Sequence, residues 1–186
     1  MDEKLIKNFT EKAKALSAEV FRYKDLNSAY DKIAEVIKKE GVKEVGCVAR
    51  GLVKNLPARL QKENIKIVYE GPPQEIAKLQ IGITQVQAGI AETGTIAQKA
   101  TDLYARYFSM LPSTNIVLLE TSKVKATLSE AMEEVKENGG LPGYTAFISG
   151  PSRTADIERV LTIGVHGPGR LVILLVDEGG ESNGSK

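Results

Sequence analysis

Short, mostly apolar runs recur along the chain: VGCVA (45–49), IKIVY (65–69), NIVLL (115–119), TAFI (145–148) and LVILLV (171–176). None alternates apolar with polar positions, as a strand with one wet face would. Runs of this kind suit strands buried on both faces, the habit of parallel sheets covered by helices. Between them the period lengthens to that of a helix. Leu52, Val53, Leu56 and Leu60 share a face, with Pro57 marking a helix start. Asp102 to Met110 turns Leu103, Tyr104, Tyr107 and Phe108 inward. Residues 124–137 form a helix capped by Thr121 or Ser122 and stopped by Gly139-Gly140 and Pro142. The alternation predicts an α/β fold, an open and mainly parallel sheet flanked by helices.

Two helices precede it. Leu5, Ile6, Phe9, Ala13, Leu16, Val20 and Phe21 line one stripe of residues 2–23, and a second helix runs from about Ser28 to Gly41. They either cap one end of the core, or the first is an arm for a partner or a homodimer. The expected organisation is an N-terminal helical extension over 1–41, an α/β domain over 42–178 and a polar, disordered tail over 179–186. Residues 83–100, ITQVQAGIAETGTIAQKA, depart from the βα rhythm. Two short strand-like pieces joined by glycine-containing turns predict an antiparallel hairpin inserted in the sheet.

Composition narrows the partners. The 186 residues suffice for one domain with a real core, and 42% of them are hydrophobic. With 26% charged and a net charge of +1, no basic stripe calls for nucleic acid or an anionic membrane. No apolar run nears the roughly 20 residues of a membrane span. Cys47 is the single cysteine and His166 the single histidine, so neither an iron–sulfur cluster nor a structural zinc is expected in this chain. The start, MDEKLIKNFTEKAK, lacks a basic-then-apolar leader, and the expectation is a cytoplasmic protein. Walker and GxGxxG motifs are missing, and no GxSxG elbow between a strand and a helix supports a serine triad.

Three segments could carry chemistry. Glu92 lies in AETGT among small residues that let a backbone or ligand approach, as a base, a nucleophile or an acceptor; it could equally be a solvent-facing turn residue. In SGPSRTADIE (149–158) a strand gives way to a helix start. Gly150 turns the chain, Ser152 or Thr154 can cap, and Asp156 suits the first turn. With Ser149 and Arg153 these groups could cradle a phosphate or carboxylate, or simply connect two elements. GVHGPGR (164–170) sets His166 between glycines, where an imidazole could move protons; no neighbouring ligand points to a metal. Cys47, inside VGCVA, reads as a small buried hydrophobe.

Together, AETGT (91–95), MLP (110–112), SGPSRTADIE and GVHGPGRL (164–171) resemble the LUD-domain family of lactate-utilisation proteins over roughly residues 45–177. The resemblance implies a fold like that of CoA transferases, ribose-5-phosphate isomerase and glucosamine-6-phosphate deaminase. It also implies a part in oxidising L-lactate to pyruvate beside iron–sulfur partner subunits, with any cluster held by them. Where relatives often carry a histidine after the MLP-like motif, this chain has Asn115. By motif, Thr93, Gly94, Thr95, Ser149, Gly150, Ser152, Arg153, Thr154, Asp156 and Gly167 become ligand-binding candidates, for a small carboxylate or phosphate metabolite. The alternative is a stand-alone enzyme of the CoA-transferase and sugar-phosphate-isomerase type. There Glu92 would be nucleophile or base, Arg153 would hold the anion and His166 would move the proton.

Overall fold

The computed structural model describes residues 2–136, 140, 142–151 and 167–177. In chain order its elements are α1 (Glu3–Ala15), β1 (Glu19–Tyr23), α2 (Leu26–Lys39), β2 (Glu44–Cys47), α3 (Leu56–Gln61), β3 (Lys66–Val68), α4 (Pro73–Ile76), β4 (Ile81–Gln85), β5 (Ala88–Ile90), β6 (Thr95–Lys99), α5 (Leu103–Met110), β7 (Thr114–Glu120), β8 (Val124–Lys125), α6 (Leu128–Val135), β9 (Thr145–Ile148) and β10 (Arg170–Val176). Six strands form one parallel sheet in the order β1-β10-β7-β4-β2-β3. A smaller sheet, β8-β5-β6-β9, is mixed.

β10 shows why its run is apolar throughout. Val172, Leu174 and Val176 join the cluster beneath α2 and α3, while Leu171, Ile173 and Leu175 join the one that α1 and the small sheet cover. Both faces are inside, so neither phase of the strand can be polar. Phe9, fully buried, anchors α1 in the second cluster. Below the small sheet, Ala88, Ile90 and Ala97 pack on Ala131 and Val135 of α6. Phe108 of α5 packs on Ile76 and Leu79, and a methyl added at Gly82 would fall on the Phe108 carbonyl, which is how closely α5 crosses β4.

Several sequence expectations are revised. The first helix stops at Ala15 rather than running to residue 23. Ser17 takes φ 71°, the Ser17 amide donates to Lys14 O and the Ala18 amide to Ala13 O, a left-handed cap that redirects the chain into β1. The segment expected as a helical extension therefore supplies an edge strand and a core helix to the main sheet. The 83–100 hairpin exists as β5–β6, but it belongs to the small sheet, and Ile83 belongs to β4. TAFI is β9, antiparallel to β6, not a member of the parallel sheet. The helix expected over 124–137 starts at Leu128 with Thr127 as its cap. Leu103 faces outward, 43% exposed, because it lies two positions from buried Ala105 and so on the opposite side of α5. The expected tail and the end of the SGPSRTADIE segment lie outside the described residues.

Candidate functional site

The AETGT turn closes the β5–β6 hairpin. Gly94 takes φ 71° and its amide donates to Ile90 O at 2.8 Å. A methyl on Gly94 would lie 2.5 Å from the Lys12 carbonyl carbon, so α1 sits directly on the turn. Lys12 Nζ donates to Glu92 O at 2.6 Å and Asn8 Nδ2 to Ala91 O at 3.2 Å. Glu92 is exposed, and its Oε1 accepts from the amide of Leu128 at 2.7 Å, covering the first turn of α6. Thr93 is exposed beside it.

Thr95 Oγ1 reaches Ser149 Oγ at 2.8 Å, and Gly150, at φ 106°, packs against Leu16 O. The structure thus brings Glu92, Thr93, Gly94, Thr95, Ser149 and Gly150 together around the last turn of α1. Gly167, at φ 84°, is exposed. Ser152, Arg153, Thr154, Asp156 and His166 lie outside the described residues.

A different site follows from strand order. After β2 the sheet grows outward to β3; after β4 it grows the other way, to β7 and β10. The order reverses between β2 and β4, and open α/β sheets bind ligands at the carboxyl ends of strands flanking such a reversal. A cleft of about 400 Å³ lies there. Arg50 follows β2, Thr84 and Gln85 end β4, Lys99 ends β6, and Asp102 caps α5.

Each wall has a local cause. Gly51, at φ 49°, leaves room for Gln85, whose Oε1 accepts from the Leu52 amide at 2.7 Å. Gln87 Oε1 accepts from the Lys99 amide at 2.5 Å, fixing the floor. Asp102 Oδ1 accepts from the amides of Tyr104 and Ala105, while its Oδ2 pairs with Arg50 at 2.9 Å. The Arg50 side chain is 76% exposed, so that pair is weak and exchangeable. Thr84 is 1% exposed and its hydroxyl has no hydrogen-bond partner among the described residues. An unpaired buried hydroxyl costs about 1–3 kcal/mol, which a ligand oxygen would relieve once the wall around it opens.

The sequence reading missed Arg50, Thr84, Gln85, Lys99 and Asp102. Thr95 and Lys99 stand at opposite ends of β6, roughly 13 Å apart at strand rise. The motif cluster and the cleft are therefore separate places. Cys47, on β2, is buried as expected, and burial pushes its thiol up to about 12.

The sequence model of the LUD domain matches residues 6–176. Lactate utilization protein C 1 of Bacillus mycoides is 36% identical over 102 residues, which are 53% of this chain and 44% of that protein. Lactate utilization protein C of Bacillus subtilis is 31% identical over 121 residues, 63% of this chain and 47% of that one. An uncharacterized Neisseria meningitidis protein is 40% identical over 100 residues, 53% and 42% of the two chains. The chain thus aligns with less than half the length of these relatives. A crystal structure of a DUF162 family protein from Deinococcus radiodurans superposes with a TM-score of 0.69 at 18% identity, covering 93% of this chain and 96% of that one, and so shares the fold. Among the described residues no helix is long and apolar enough to cross a membrane.

Proposed function

Because the chain belongs to the LUD-domain family, we propose that it serves in lactate utilisation by holding the carboxylate or phosphate group of a small metabolite in the switch-point cleft. The observation that carries this is the convergence of Arg50, Lys99 and the unpartnered Thr84 hydroxyl on one pocket. Lys99 and Arg50, the latter shared with Asp102, attract the anion, and Thr84 together with the ordered amides Gln85 and Gln87 orients its oxygens. The names of the Bacillus relatives supply the lactate context. Redox chemistry in such a system falls to iron–sulfur partner subunits, as the resemblance implies, since the chain's one cysteine is buried in the core.

The alternative, an enzyme built on Glu92 with Arg153 and His166, requires Glu92 to give up its bond to the Leu128 amide. No observation among the described residues favours that exchange over the cleft.

The test is a thermal-shift series with lactate, pyruvate and ribose 5-phosphate on wild type, Arg50→Ala and Thr84→Val. A ligand at about 100 times its dissociation constant adds roughly 2.7 kcal/mol of stability. At least one compound should stabilise the wild type, lose that effect in Arg50→Ala and bind more weakly to Thr84→Val. Equal shifts in wild type and Arg50→Ala, or none with any compound, would overturn the reading.

A further inference from the structure

The switch-point cleft continues past Arg50. A second cleft of about 520 Å³ opens at the carboxyl ends of β2 and β3, and Val48, Arg50 and Asp102 line both. Its outer walls are Tyr69 and Glu70, which follow β3, and Leu103 and Tyr104 at the start of α5. Tyr69 is 46% exposed and Leu103 43%. One exposed apolar side chain is ordinary; two lining the same cleft beside an arginine form a surface for a flat apolar group.

Charge gives the joined clefts a polarity. The Arg50–Asp102 pair stands where the two clefts join, and the inner end adds Lys99 and the Thr84 hydroxyl, which suit an anion. The outer end adds Glu70, which offers acceptor oxygens, while Asp102 at the junction is engaged by the α5 amides and by Arg50. The occupant must be flat at one end, carry hydrogen-bond donors there, and carry an anionic group at the other. A nucleoside phosphate has that order of parts; an aliphatic metabolite lacks the ring, and an unsubstituted aromatic acid lacks the donors. The combined space is in the range of small-molecule sites.

We propose that the joined clefts bind a nucleoside monophosphate, with its base against Tyr69 and Leu103 and its phosphate at Arg50, Lys99 and Thr84. The inference rests on the anion reading of the inner cleft and extends it by a ring subsite. Stacking on an aromatic side chain is worth about one to two orders of magnitude in affinity.

Calorimetric titration of AMP and of ribose 5-phosphate into the full chain separates the two claims, with wild type, Tyr69→Ala, Tyr69→Phe and Arg50→Ala compared. AMP should bind at least about tenfold more tightly than ribose 5-phosphate. Tyr69→Ala should bring AMP to the level of ribose 5-phosphate without changing the latter, and Tyr69→Phe should keep the difference. Equal affinities in the wild type, or a difference that survives Tyr69→Ala, would overturn the ring subsite alone. So would binding of pyruvate or lactate without AMP. Ribose 5-phosphate binding that ignores Arg50→Ala would instead remove the anion site beneath both readings. Tyr69 is exposed, so an unchanged melting temperature is the expected control.

Discussion

Thr95 Oγ1 and Ser149 Oγ, 54 residues apart in sequence, share a 2.8 Å hydrogen bond that locks the β5–β6 turn to the end of β9. Thr95 is buried. Thr95→Val or Ser149→Ala alone leaves one hydroxyl without its partner, and each should cost about 1–2 kcal/mol. The double variant should cost less than the sum of the two. Urea unfolding of all four proteins in a double-mutant cycle measures that coupling.

Gly94 is bound to its place by conformation and by contact. Its φ of 71° strains any side chain, and a methyl there would press on the backbone of α1. Gly94→Ala should destabilise by about 1–3 kcal/mol and loosen α1 before the rest of the fold. Hydrogen exchange should show protection falling first at Ile6, Phe9 and Ala13.

Glu92 separates a structural role from a catalytic one. Its carboxylate covers the start of α6, so Glu92→Ala should lower stability by about 1 kcal/mol, while Glu92→Gln, which still accepts a hydrogen bond, should lose little. Ligand affinity in the switch-point cleft should be unchanged in both. Thermal melts and the binding assay on the same samples distinguish the roles.

Arg170 grips Glu19 through two bonds, at 2.6 and 2.9 Å, and also pairs with Glu40, tying β10 to the start of β1 and the end of α2. The Arg170 hydrogen bonds hold the Glu19 carboxyl below its usual 4.5. A depressed carboxylate contributes stability above its unfolded pKa and loses it as pH falls through the folded one. Acid unfolding followed by circular dichroism should therefore begin below about pH 4.5. Arg170→Ala should be less stable at pH 7 and show a shallower loss over that acid range.

Tyr30 behaves in the opposite sense. Burial raises its phenol from 10.0 to about 12, and its hydroxyl donates to Leu52 O at 2.6 Å. The folded state holds this proton more tightly, so the contribution is complete below pH 10 and is lost as pH rises towards 12. Tyr30→Phe should flatten the alkaline limb of the stability curve.

The parts of the fold legible in sequence were those whose burial is symmetrical. β10 is apolar at six consecutive positions because both its faces are inside, and no helix surface would tolerate that. Gly41 announced the end of α2, and its φ of 66° confirms the cap. β1 was hidden because Val20 and Phe21 prolong the helical period of α1, and because Ser17 rather than glycine makes the left-handed turn. β4 was hidden because Gly82 interrupts a five-residue strand next to a true hairpin. Within the motif cluster, Thr95 of AETGT and Ser149 of SGPSRTADIE share a hydrogen bond that spacing alone does not reveal. The cleft could not be read, since Arg50, Thr84 and Lys99 become neighbours only once the strand order places a reversal between β2 and β4.

β1 pairs with β10 along its whole length, Glu19 against Val172 through Tyr23 against Val176. During synthesis, then, β1 waits for β10. Until residues 170–176 leave the ribosome, β7 has an open edge and α1 lacks Leu171, Ile173 and Leu175 to pack on. Such distant pairing makes for slow folding and prolonged exposure of strand edges to other nascent chains. Co-translational folding of this sheet should therefore end in a late, concerted closure and should be sensitive to chaperone capacity.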